Sequence, residues 1–182
     1  RRTLLSDIPI VVFRTFPYEE NKSNISINTT RLNNEIINIL VGQKGEDYTG
    51  FWGGGGNPSL VNVTISNNTG LGVLLYQGGN NSFTNVTISG NSGGGFKLSQ
   101  DASADLLNCI LWNNSTDEIF GSASNEATVT YSNIAGGWEG EGNIDANPQF
   151  CDPDSGDYTV SENSPCVGTG ENGANMGSFG VG

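Results

Sequence analysis

The residues with the most chemical potential cluster toward the C-terminal end. Asp152-Pro153-Asp154-Ser155-Gly156-Asp157 sets three carboxylates around a Gly turn. Oxygen-rich spacing of this kind suits a hard cation, so Asp152, Asp154 and Asp157 are candidate calcium ligands. The same stretch also reads as a β-turn before Tyr158-Thr159-Val160, because an Asp side chain can bond the backbone of its own turn. A second acidic pair, Asp117-Glu118, raises the question of paired-carboxylate catalysis. Adjacent residues on a strand face opposite ways, so the pair suits one substrate poorly, and a polar turn is the expected role.

The sequence has no His. That removes the commonest general base and the commonest transition-metal ligand. Three scattered cysteines, Cys109, Cys151 and Cys166, do not make a metal site without it. Trp112 can stack on a sugar ring or pack beneath a loop, and Trp52 and Trp138 share that choice. The net charge of −12 repels phosphate backbones and anionic membranes, so a nucleic-acid partner is not expected. No stretch approaches the roughly 20 apolar residues of a membrane span, so membrane insertion is not expected either. The chain opens Arg1-Arg2-Thr3 without Met, and a processed protein or a fragment is expected.

These residues sit within and after a repeat. Val61-Asn62-Val63-Thr64-Ile65-Ser66-Asn67-Asn68 aligns without gaps on Thr84-Asn85-Val86-Thr87-Ile88-Ser89-Gly90-Asn91, and then on Leu107-Asn108-Cys109-Ile110-Leu111-Trp112-Asn113-Asn114. Each offset is 23 residues. Val61, Val63 and Ile65 alternate with Asn62, Thr64 and Ser66, the pattern of a strand with one buried and one wet face. Val63, Val86 and Cys109 are expected to stack as one inward ladder, and Ile65, Ile88 and Leu111 as another. Cys109 is thus expected to be a buried thiol. Asn68, Asn91 and Asn114 are expected to form a side-chain ladder, since stacked amides can bond one another.

A second short strand follows each Asn turn: Gly72-Val73-Leu74-Leu75, then Gly95-Phe96-Lys97-Leu98, then Glu118-Ile119-Phe120-Gly121. The period and the strands predict an all-β chain, a parallel β-helix of about five or six coils. Looser copies lie at Ile37–Gly42 and Val129–Ile134. The expected organisation is an N-terminal cap or assembly segment over 1–30, coils over 31–137, and a closing segment of the same domain over 138–182. Ile8, Ile10, Val11, Val12 and Phe13 are the candidate assembly strand, packing on the chain's own solenoid or adding to a neighbouring subunit. Asn-x-Ser/Thr triplets begin at nine positions, Asn114 among them, and glycosylation is left open.

Asn85–Asn91 followed by Gly93-Gly94-Gly95 resembles the secreted right-handed parallel β-helix repeat proteins of the pectate-lyase-like superfamily, of the cell-surface type. Asn108–Asn114, Val129–Ile134, Gly142–Phe150, Gly156–Val160, Ser164-Pro165-Cys166 and Met176–Gly180 are similar to that family's final coils and closing segment. The resemblance covers roughly residues 31 to 182. It implies a right-handed solenoid and an extracellular or cell-surface location. In that compartment it implies a Cys151–Cys166 disulfide. An acidic, repetitive rod without convergent reactive groups fits a non-enzymatic structural or adhesive module, a subunit of a homo-oligomer or fibre or a spacer beside flanking domains. The alternative is a carbohydrate-binding β-helix, or a calcium-dependent lyase-like one, with a polysaccharide partner. Pectate lyases use a basic residue to take a proton and acidic residues to hold calcium. Lys97 with Asp101 and Asp105 would be the counterpart here, and a solvated turn explains them equally well. No cofactor beyond calcium is expected.

Overall fold

The structure is a computed structural model, and it describes residues 35–37, 40–41, 49–54, 57–121 and 126–182. The candidate assembly strand at Ile8, Ile10, Val11, Val12 and Phe13 lies outside the described residues.

The chain winds as a β-solenoid. The first coil carries β1 (Glu35–Ile37), β2 (Leu40–Val41) and β3 (Phe51–Gly54). The next carries β4 (Ser59–Val61), β5 (Thr64–Ser66) and β6 (Val73–Tyr76). Then come β7 (Asn80–Thr84), β8 (Thr87–Ser89) and β9 (Phe96–Ser99). They are followed by β10 (Ser103–Leu107), β11 (Ile110–Trp112) and β12 (Ile119–Gly121). A last pair, β13 (Glu126–Thr130) and β14 (Asn133–Ile134), begins one more coil. All pairing between coils is parallel, in three sheets ordered β1-β4-β7-β10-β13, β2-β5-β8-β11-β14 and β3-β6-β9-β12. Among the described residues the first two sheets thus have five strands and the third four, a coil count slightly different from the expected five or six.

The register is the sequence repeat made visible. Ile65 pairs with Ile88 and Ile88 with Leu111, while Phe83 pairs with Leu60 and Leu106. Val63, Val86 and Cys109 are buried to 1% exposure or less, and so are Ile65, Ile88 and Leu111. Phe83 stands edge-on to Phe51 at 6.4 Å and to Phe96 at 4.9 Å, filling the middle of the tube. Each fully buried Ile, Leu or Phe of these stacks contributes on the order of 2 kcal/mol by leaving water.

The single strand expected from Val61 to Ser66 is in fact two. Asn62 takes φ 56°, and Asn85 and Asn108 do the same at 52° and 54°. Asn tolerates this left-handed geometry better than most side chains. The bend carries the chain from the first sheet to the second and shifts the alternation by one. Leu60, at 1% exposure, therefore points inward in place of Val61. Gly72 has a packing reason at the entry to β6, since a Cβ there would lie 2.6 Å from Ile88 Cγ2 and 2.7 Å from the Gly95 carbonyl oxygen.

The expected wet face of the second sheet is covered. Thr64, Ser66, Thr87 and Ser89 are all buried, at 4% exposure or less. The cover is the closing segment, which runs back along the side of the solenoid. It includes the antiparallel pair β15 (Phe150–Asp152) and β16 (Asp157–Val160). Its own small core joins Val160, Cys166 and Met176 to Ile110, with Trp112, Ile144, Phe150 and Val167 packed against it. The Ser178 hydroxyl shares hydrogen bonds with Thr64 Oγ1 at 2.5 Å and Thr87 Oγ1 at 3.1 Å. Asn67 Nδ2 donates to the Tyr158 hydroxyl at 3.0 Å. Gly177, at φ 89°, lets the backbone lie flat, because a Cβ there would come within 2.7 Å of Ile110 Cδ1. Apolar Ile110 and Trp112 at outward positions of β11 were the signal in the sequence that this face is covered.

Candidate functional site: a cleft beside the last asparagine rung

Asn68, Asn91 and Asn114 are buried and point inward at the turn between the second and third sheets. The Asn91 amide oxygen accepts the Asn68 backbone N–H at 3.1 Å and its Nδ2 at 2.7 Å. The Asn114 oxygen accepts from Asn91 in the same two ways, at 3.0 and 2.8 Å. The Asn91 and Asn114 amides also donate to backbone carbonyls, Asn91 Nδ2 to Ile65 at 3.2 Å and Asn114 Nδ2 to Ile88 at 3.0 Å. Every rung therefore satisfies the donors of the rung before it, as buried polar groups require.

The ladder ends where the repeat breaks. The position 23 residues beyond Asn114 is Gly137, which has no amide to offer. Glu118 fills that place. Its carboxylate accepts the Asn114 backbone N–H at 3.1 Å through one oxygen and Asn114 Nδ2 through the other. Glu118 lies in the polar turn before β12, and at 7% exposure it is buried there rather than solvated. Burial pushes its carboxyl above the ordinary glutamate range, and hydrogen bonds from the Asn114 side chain and from the Asn114 and Asn113 backbone offset only part of that. The legible signal was an acid four residues after the last Asn of a ladder with no fourth member.

The same break opens a cleft. Ala135 still stacks on the coil below, its N–H bonding the Leu111 carbonyl at 3.1 Å. Gly136 and Gly137 then turn the chain away at φ 82° and 81°, with the Gly137 N–H closing on Ile134. The space over β12 and the turn before it becomes a cleft of about 620 Å³, lined by Trp112, Asn113, Thr116, Asp117, Glu118 and Trp138 among others. Asp145 Oδ1 accepts the Gly136 N–H at 3.2 Å, and Asn143 Nδ2 donates to the Trp138 carbonyl at 3.2 Å, which pins the loop carrying Trp138. A smaller cleft of about 310 Å³ adjoins it across Trp112 and Asn113, reaching Asn147 and Gln149. Trp112 is half-buried against the closing segment and faces both spaces.

The other candidates do not come together. Asp152, Asp154 and Asp157 are all exposed. Among the described residues no three acidic or sulfur ligands are placed to hold a metal ion. Pro153–Ser155 forms a short 3-10 turn closed by Gly156 at φ 86°, so the carboxylates splay outward along it. Asp157 is spent locally: its Oδ1 accepts the Thr159 N–H at 3.0 Å and hydroxyl at 2.6 Å, which holds its pKa below the usual value. Lys97 projects from the third sheet and lies 5.8 Å from the centre of the Phe120 ring, whereas Asp105 projects from the first sheet and Asp101 lies in the turn between them.

The Cys151–Cys166 disulfide is corrected as well, since all three cysteines are free thiols. Along β15, Phe150 turns toward Tyr158, with ring centres 5.2 Å apart, and Cys151 faces solvent. Cys166 faces the closing core, where Asn133 Nδ2 donates to its sulfur at 3.1 Å. Cys109 is buried in the tube, and burial pushes its thiol up to about 12.

A family model described as a right handed beta helix region matches residues 18–164. No curated protein and no solved structure matches the chain.

Proposed function

The chain belongs to the right-handed β-helix family, and on that premise we propose that it is a non-enzymatic structural or adhesive β-solenoid of the cell surface. The observation that supports this reading is where the repeated positions are spent. Each coil gives its inward places to apolar stacks and to the Asn68–Asn91–Asn114 ladder. Those features carry coils in register and build a stiff rod. Among the described residues, the acids and Lys97 that a lyase would need are dispersed over different sheets and turns. Incubation with uronate polymers, with and without calcium, is expected to release no reducing or unsaturated ends. Release of either overturns the non-enzymatic reading.

The fibre form of the proposal places residues 8–13 as a strand added to a neighbouring subunit. It predicts filaments by negative stain in concentrated protein that contains residues 1–20. Persistent monomers under those conditions remove the fibre and leave the scaffold. A carbohydrate-binding module is the second reading, favoured by the place of Trp112 between two adjoining clefts. A glycan array in which binding is lost with Trp112→Ala would support it, and an array without signal would reject it.

A further inference from the structure

The larger cleft has a composition that selects for charge. Its walls carry two indoles from different coils, Trp112 on β11 and Trp138 on the loop beyond β14. Among the described residues its ionisable lining groups are Asp117 and Glu118, with no Lys or Arg. An anionic ligand such as a uronate would meet two carboxylates with no counter-charge. A cation is attracted both by indole rings and by the two acids.

Glu118 sharpens this choice. It is 7% exposed and its two oxygens already take Asn114 donors, so its place is fixed by the ladder. An amide donor neutralises none of its charge, and among the described residues no basic side chain lines the cleft to do so. The ladder therefore holds a buried carboxyl group at a cleft wall, and once ionised its field is little screened by water. The backbone that carries Trp138 is tied down by the Asp145 bond to the Gly136 N–H and the Asn143 bond to the Trp138 carbonyl.

We propose that this cleft binds an organic ammonium group, a protonated amine or a quaternary ammonium, between the indoles of Trp112 and Trp138, with Asp117 and Glu118 as counter-charges. The size of the cleft, about 620 Å³, falls within the ordinary range for small-molecule sites. The inference goes beyond the scaffold reading and does not depend on it.

The test is a calorimetric and tryptophan-fluorescence titration of the full chain with four probes: tetramethylammonium, 1,5-diaminopentane, uncharged neopentyl alcohol and maltose. Saturable binding of at least one ammonium, with neither neopentyl alcohol nor maltose competing, is the expected result. A preference for tetramethylammonium would mark a quaternary source, and a preference for the diamine a free amine. Trp138→Ala and Asp117→Asn are each expected to weaken ammonium binding about tenfold, the scale of one cation–π contact or one partly desolvated charge. Both alter exposed or rim positions, and an unchanged circular dichroism spectrum shows that the variant still folds. No saturable ammonium binding, equal binding of neopentyl alcohol, binding of maltose in place of the ammonium ions, or two folded variants with unchanged affinity would each overturn the proposal.

Discussion

Glu118 accepts both the backbone N–H, at 3.1 Å, and the side-chain amide of Asn114, standing in for the asparagine that a further coil would have supplied. A carboxylate can do this because it offers two acceptor oxygens in the plane where the next amide would offer one. Its cost is a charge under protein cover, beside a cleft that the same break in the repeat creates.

That cost has a pH signature. Burial raises the carboxyl of Glu118 above its unfolded value. A raised acid binds its proton more tightly when folded, so its contribution to stability is full below the unfolded pKa and is lost as pH rises through the folded one. The melting temperature of the wild type is therefore expected to fall, relative to that of Glu118→Gln, as pH rises above the ordinary glutamate pKa of about 4. Thermal scans of both proteins across that window check it, and a wild type that gains on the variant with rising pH contradicts it.

The centre of the ladder is the place where one amide matters most. Asn91→Ala takes from Asn68 the acceptor of its N–H and Nδ2, and takes from Ile65 and Asn114 the Nδ2 donor they share. Buried groups left without partners cost about 1–3 kcal/mol each, so a loss of at least about 3 kcal/mol is expected in urea unfolding. A loss under about 1 kcal/mol would mean that the ladder is incidental to stability.

Thiol chemistry separates the free cysteines from the disulfide that the resemblance implied. Only Cys151 is exposed, while Cys109 and Cys166 are buried with raised pKa values, Cys109 at about 12. The thiolate is the reactive form, so one equivalent of thiol reagent is expected to react in the native state near neutral pH. Three are expected in denaturant without reductant, the full count of free thiols. A single equivalent in denaturant would restore the Cys151–Cys166 bridge.

Much of the solenoid was legible in the residues. The repeated Val63, Val86, Cys109 and Ile65, Ile88, Leu111 announce two stacks, because parallel in-register coils place equal sequence positions one above another. The Asn68, Asn91, Asn114 spacing announces the ladder by the same logic. Local geometry was less legible. Alternation alone puts Asn62 outward on a continuous strand, and only its left-handed backbone turns Leu60 inward and divides β4 from β5.

The repeat, and with it the family, was determined by the sequence alone, since period and residue type fix what can stack. The outcome at Thr64, Thr87, Glu118 and Cys166 was decided by tertiary structure. Thr64 and Thr87 are buried because a segment more than ninety residues away lies across them through Ser178. Cys166 stays apart from Cys151 because alternation along β15 turns one thiol to solvent while the closing core takes the other. Glu118 is buried because the rung that would follow Asn114 is absent. Each of these depends on which distant chain covers a surface or fails to, and periodicity along one coil does not encode that.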